Sequence, residues 1–323
     1  MPNILIIGHE LHSHTHSYIF NGIYKALIAL NYNVDWIHND NDIYKIKSLN
    51  SSKINIIITE LYYNKNIPII ENCTYIIQQP FLELFKKSDN SYETDDFMKS
   101  YFKNIPKQNI ILWRPYMNIY ADNFFQVYKE NEYTIIVTPW ATDLLPNEID
   151  ENIKNLESFD IKDISNFIGM PLKHNEELKE ALQKYNIKYY VYGGTFNKNS
   201  ERNKSIEENM KLIQESIITP ALQSDEQIEK NYIPCRIFKN ISYGKMGITN
   251  NEVVYKFFNK KIIYSKNIDE LVEKSLEFNK NDKNKFSIIK ELMIEVRDNH
   301  TYINRINFIF KSILDQSNIC KNI

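Results

Sequence analysis

The sequence predicts an α/β protein built of two Rossmann-like, doubly wound domains facing a central cleft, with C-terminal helices. Three observations predict it. Short apolar runs alternate with segments of helical spacing, the pattern of a parallel sheet covered on both faces. The alternation runs twice and pauses at residues 138–160. The 323 residues exceed one ordinary core, at roughly 150 residues per domain.

The first domain is assigned to residues 1–150. "NILIIG" is a short apolar run ending at Gly8, read as a buried parallel strand. "SYIFNGIYKALIAL" repeats apolar residues at Tyr18, Ile19, Ile23, Leu27 and Leu30, with Ser17 as the expected N-cap of a helix. "NVDWIH", "INIIITE", "TYIIQQP", "NIILWRP" and "YTIIVTPW" read as further strands, and "DDFMKSYFKN" has helical character. Residues 138–160 hold two prolines, an acidic run and no apolar strand, and read as the interdomain connection. Their middle, "NEIDENIKNLE", has helical spacing.

The second domain is assigned to residues 160–300. Strand "ISNFIGM" leads to helix "NEELKEALQKY", strand "IKYYVYGG" and helix "SIEENMKLIQES". Strand "IITPALQ", helix "PCRIFKNISYG", strand "MGITNN", helix "EVVYKFF", strand "KIIYS" and helix "NIDELVEKSLEF" follow. Two helices end the chain, at about 283–297 and 300–315. The segment 300–323 is expected to pack back on the N-terminal domain.

Composition narrows the function. The 39 basic and 41 acidic residues nearly cancel, so no global basic field draws the chain to nucleic acid or membrane. That balance disfavours a nucleic-acid acceptor and leaves it open. The three cysteines, Cys73, Cys235 and Cys320, suit neither a disulfide framework nor a Cys-ligated zinc site. The opening residues lack a basic leader segment, and no apolar run approaches the ~20 residues of a membrane span, so a cytoplasmic location is expected.

In open α/β sheets ligands bind beyond the carboxyl ends of the strands. "GHELHSHTHSYIF" follows the first strand and carries His9, His12, His14 and His16. A His is suited to general-base work near neutral pH. His16, then His14, stand nearest the helix start, with Glu10 and Asp143 as alternative bases. Trp113 and Arg114 end another strand and suit a sugar face and an anionic group. Asp143 lies at the expected hinge. In the second domain, Pro234 suits a helix start and Arg236 follows within its first turn. A helix N-terminus beside an Arg suits a diphosphate. Gly193 and Gly194 allow close backbone approach to a ligand, with Thr195 beside them. Asn250, Asn251 and Glu252 end a later strand.

Arg236-Ile237-Phe238-Lys239-Asn240, then Gly244, resembles the nucleotide-sugar site of GT-B-fold glycosyltransferases. "VRDNHTYINRINFIF" resembles the ending of the CgeB-like and group 1 members, and "FIGMPLKHNEELKEAL" is similar in layout to a loop of phage DNA glucosyltransferases. The resemblance covers residues 164–315 in detail. It implies a transferase of hexosyl or fucosyl type. Such an enzyme moves a sugar from a nucleotide diphosphate sugar to a glycan or other hydroxyl acceptor, without metal or other cofactor. It places Arg236 and Lys173 on the diphosphate. The family's Glu, three positions after the Arg, holds the ribose; here Lys239 stands there and cannot accept those hydrogen bonds. Either Asn240 or Glu252 takes the ribose in its place, or the donor differs.

Two rival readings stand beside it. A metal-dependent hydrolase would use the His9, His12, His14 and His16 loop, although His38, His174 and His300 are the only further histidines. A non-catalytic glycosyltransferase-like binding module would account for Lys239.

Overall fold

The computed structural model describes residues 3–12, 16–38, 54–60, 67–78, 103–115, 117, 133–193, 204–280 and 284–320. The chain divides into two compact units, Met1–Thr138 and Pro139–Ile323. Most of the predicted helix "DDFMKSYFKN" lies outside the described residues.

The first unit holds β1 (Asn3–Gly8), α1 (Ser17–Ala29), β2 (Asn33–His38), β3 (Ile54–Glu60), β4 (Thr74–Gln78), β5 (Ile110–Arg114) and β6 (Thr134–Val137). They form one parallel sheet in the order β2-β1-β3-β4-β5-β6. The isoleucine runs explain it: all five residues of β5 are buried, the mark of a strand covered on both faces. Strand order reverses at β1, which pairs with β2 on one side and β3 on the other. The crevice between the ends of β1 and β3 is therefore the topological switch point, where such sheets take ligands. Gly8 closes β1 because a Cβ there would lie 2.6 Å from the ring of Phe20 on α1. The buried Cys73 thiol is pushed up to about 12 by desolvation and stays protonated, a small apolar side chain.

The second unit holds α2 (Pro146–Asn155), β7 (Ile164–Ile168), α3 (Lys173–Gln183), β8 (Lys188–Tyr192), α4 (Ile206–Glu215) and α5 (Asp225–Glu229). After them come α6 (Cys235–Ser242), β9 (Ile248–Thr249), α7 (Glu252–Phe257), β10 (Ile263–Tyr264), α8 (Ile268–Lys280), α9 (Lys285–Asn299) and α10 (Tyr302–Cys320). Two parallel pairs, β7-β8 and β9-β10, form its ladders. The predicted strand "IITPALQ" is an extended segment without a regular ladder. Ile217 N–H donates to Ile164 O at 2.8 Å, and Ala221 N–H donates to Ile248 O at 2.8 Å, so the segment joins the two pairs. Pro220 has no N–H to give, which is why the ladder fails there.

Residues 139–160 are not a linker. Leu144, Ile149 and Leu156 belong to the second unit's core, and Asn152 donates to Ser242 O at 3.1 Å. The stretch lacks a strand because it is an amphipathic helix, started by Pro146 and by a Glu148 carboxylate accepting from Leu145 N–H at 2.6 Å.

The histidine and arginine near the chain's end hold that unit closed. Arg305 is buried and donates to Pro139 O (2.8 Å), Trp140 O (3.1 Å) and Asn299 O (3.0 Å). It also lies 3.2 Å from His300 Nδ1. His300 packs among Phe238, Phe257 and Phe258, and its carbonyl accepts from Thr142 N–H at 3.1 Å. Burial, with the Arg305 charge, holds the His300 pKa down at about 3. Among the described residues no helix is long and apolar enough to cross a membrane.

Two outcomes follow from this latch. Arg305→Ala leaves two buried carbonyls and a partly buried one without their donor and lowers stability by about 3 kcal/mol or more in urea unfolding. The unfolded chain binds a proton at His300 below pH 6.5, while the folded chain refuses it until about pH 3. Stability from this group is therefore full above pH 6.5 and is lost as pH falls through that window, by at most about 1.4 kcal/mol per pH unit. His300→Gln flattens the acid limb of the midpoint-versus-pH curve by that amount.

Candidate functional site

Each unit gathers polar side chains at the carboxyl ends of its strands. In the first, His16 stands at the N-cap of α1 and Glu60 ends β3. His16 Nδ1 lies 2.7 Å from Glu60 Oε1, and Glu60 is 1% exposed. An ionised carboxylate only accepts, so Nδ1–H donates and Nε2 keeps the lone pair. This is a base held in one tautomer by a buried carboxylate, the arrangement of His–acid dyads. Glu60 Oε2 lies 4.0 Å from His9 Nε2. The expected N-cap, Ser17, is the first helical residue instead, and its hydroxyl accepts from His12 N–H at 3.1 Å.

The histidines do not act as one row. His12 has a left-handed backbone, φ 71, and its Nδ1 meets Tyr18 Oη at 3.1 Å. His14 lies outside the described residues, and Glu10 is an exposed loop residue. Among the described residues no three His, Cys, Asp or Glu side chains come together as a metal-holding group. Trp113 is buried, with Nε1–H donating to Thr138 O at 3.1 Å, so its ring serves the core. Arg114 is buried beside it at the end of β5. Sequence reasoning passed over Glu60 and Gln78. Their signal was a lone polar residue ending an isoleucine run, in "IIITE" and "YIIQ".

In the second unit Arg236 sits in the first turn of α6, with Pro234 as N-cap. Its guanidinium lies 4.1 Å from the centre of the Phe167 ring. Nε–H donates to Ile168 O at 3.3 Å and Nη1–H to Leu222 O at 3.2 Å. Those two bonds use two of five N–H groups. No carboxylate among the described residues pairs with it, and burial pulls its pKa below the ordinary value. Gly169 makes the space: a Cβ there would lie 2.5 Å from Arg236 Nη2, and its φ of +142 excludes other residues. Gly193, φ +141, packs backbone to backbone on Gly169, whose N–H donates to Tyr192 O at 3.0 Å. Gly194 and Thr195 lie outside the described residues.

The other candidates in this unit divide into scaffold and surface. Asn240 is buried and donates to Thr219 O at 2.6 Å. Asn250 Oδ1 accepts from Gln223 N–H at 2.9 Å while its Nδ2 donates to Gln223 O at 3.0 Å. Asn251 Nδ2 donates to Gln223 Oε1 at 3.0 Å and its Oδ1 caps α7 through Val253 N–H at 2.8 Å. These amides fix the strand ends around α6. Glu252 is surface, paired with Lys256 at 2.8 Å. Lys173 opens α3, exposed.

Lys239 explains its own departure from the resemblance. Its Nζ donates to Asp143 Oδ2 at 2.8 Å, and Tyr243 Oη donates to Asp143 Oδ1 at 2.8 Å. Asp143 is buried, so a Glu at 239 would meet a like charge in low dielectric. Burial and Asp143 push the Tyr243 phenol well above its usual range, keeping it a donor. Asp143 and Lys239 are thus one compensating pair within the second unit.

Gly169→Ala strains a left-handed position and drives Arg236 from its slot. Calorimetry is expected to show about 1–3 kcal/mol lost.

Residues 173–311 match the glycosyl transferase-like family. Comparison with curated protein sequences gives no match. Among solved structures, an alpha-glucosyltransferase in complex with UDP superposes with TM-score 0.64 at 9% identity, covering 97% of this chain and 100% of that one. A sucrose-phosphate synthase from Thermosynechococcus elongatus gives TM-score 0.54 at 8% identity, covering 98% and 100%. The apo structure of OtsA gives 0.55 at 12%, covering 96% and 98%. The chain therefore has the GT-B fold, with a C-terminal unit that matches the glycosyl transferase-like family.

Proposed function

We propose that the chain moves a hexose from a nucleotide diphosphate sugar to an acceptor hydroxyl. The observation that carries this reading is Arg236. A half-buried guanidinium with unused N–H groups and no acidic partner among the described residues, at a helix start beside strand-end glycines, calls for an anion. A diphosphate fits, since its charge grows as the sugar leaves and fixed donors then stabilise it most. Lys173, exposed at the first turn of α3, adds a second cation. Uridine diphosphate is the first nucleotide to test, because the alpha-glucosyltransferase of the same fold was solved with it.

His16 handles the acceptor proton. In an inverting transfer the acceptor oxygen bonds to the anomeric carbon, and the bond to phosphate breaks with its electron pair on the diphosphate. The acceptor proton passes to His16 Nε2, and Glu60 steadies the imidazolium. In a retaining transfer the leaving diphosphate takes that proton and the dyad holds the acceptor.

A thermal-shift series with UDP, GDP, CDP, dTDP and ADP tests the donor side. At 100 times its dissociation constant the right nucleotide adds about 2.7 kcal/mol of stability, and Arg236→Gln abolishes the response. A series in which no nucleotide raises the midpoint sinks the reading. On the proton side, His16→Asn lowers kcat of an inverting transfer by roughly 10²–10⁴-fold with donor affinity unchanged. A loss below about tenfold removes His16 as the base.

A further inference from the structure

We infer that Gln78 is a specificity-determining residue, whose carboxamide reads adjacent hydroxyls on a sugar acceptor. The inference rests on the transferase reading and deepens it. Gln78 ends β4 and is the register partner of Glu60 at the end of β3. Register partners in a parallel pair share a face of the sheet, so Gln78 belongs with the His16–Glu60 dyad.

The carboxamide has no work inside the protein. Gln78 is 1% exposed, and neither its Nε2 nor its Oε1 has a hydrogen-bond partner among the described residues. Both neighbours across the sheet are engaged elsewhere. Glu60 Oε1 holds His16, and Trp113, the register partner on β5, donates to Thr138 O. A buried amide with both ends unmet is costly, and in a strand reading "TYIIQ" an apolar residue would serve the core better. Among the described residues Glu60 Oε2 also lacks a hydrogen-bond donor.

The chemistry of the missing partner follows. A carboxamide offers N–H and C=O side by side, so it fits two neighbouring hydroxyls, one accepting from Nε2 and the next donating to Oε1. A third hydroxyl of the same ring then meets the His16 dyad. That pattern is a sugar, rather than a simple alcohol or a phosphate.

The test uses the full chain, the variant Gln78→Met, and two ligand arms in thermal shift: UDP, and methyl glycosides of glucose, galactose, mannose and N-acetylglucosamine. The expected result is a wild type stabilised by at least one glycoside. Gln78→Met then melts at or above the wild-type midpoint, keeps its UDP response and binds that glycoside at least tenfold more weakly. Should the Met variant not fold, Gln78→Leu takes its place with the same expected weakening. A variant that keeps its glycoside response overturns the inference, and so does a wild type that answers no glycoside. The UDP arm is separate: its failure in the wild type removes the transferase reading, whereas a UDP response without any glycoside response removes only the role of Gln78.

Discussion

Burial of both faces of a parallel sheet is the constraint on which the rest depends. A strand covered on both sides has no solvent face, so its interior is apolar along its whole length. Polar side chains are left to the strand ends, where the ladder stops. In the first unit that rule delivers Glu60, Gln78 and Arg114 to one edge, each closing an isoleucine-rich run. The loop after β1 adds His9 and His16 at the reversal of strand order. The site follows from the way the core is built, and its groups inherit deep burial from it.

Burial makes each charge choose a partner. Asp143 finds Lys239 and Tyr243, and Glu60 finds His16. Both oxygens of Asp143 meet donors, while Glu60 meets a donor at Oε1. Arg236 stands apart. It has carbonyls and an aromatic face, and no carboxylate partner among the described residues. It differs from the structural Arg305, whose fork is filled by three carbonyls and a histidine nitrogen, in spending two of five N–H groups on carbonyls, and that surplus is the ground for the proposed anion site.

The ending "HTYINR" shows how a motif can be structural rather than chemical. His300 and Arg305 sit one turn apart across the junction of α9 and α10, and together they tie residues 139–142 to the last two helices. His300 is neutral because burial and a neighbouring guanidinium disfavour its charge. The arginine's forked geometry serves three carbonyls at once, which a lysine could not reproduce.

What the sequence determined by itself is periodicity and the residues that periodicity cannot absorb. Two rounds of strand and helix, the helix start at Pro234, and Arg236 within its first turn were all legible, because each is set by neighbours a few residues away. Residues 139–160 misled for the same local reason: without an apolar strand they resembled a linker, and only the core shows Leu144, Ile149 and Leu156 as part of it. Pairings between distant residues belonged to the tertiary structure. Glu60 lies 44 positions from His16 and Asp143 lies 96 from Lys239, so no spacing rule joins them. The same holds for the bonds of Asn240, Asn250 and Asn251, whose partners Thr219 and Gln223 lie 21 to 28 positions away. A side chain's donors and acceptors are fixed by its chemistry. Whether they face a ligand or a neighbouring carbonyl is decided by which strands the fold brings side by side.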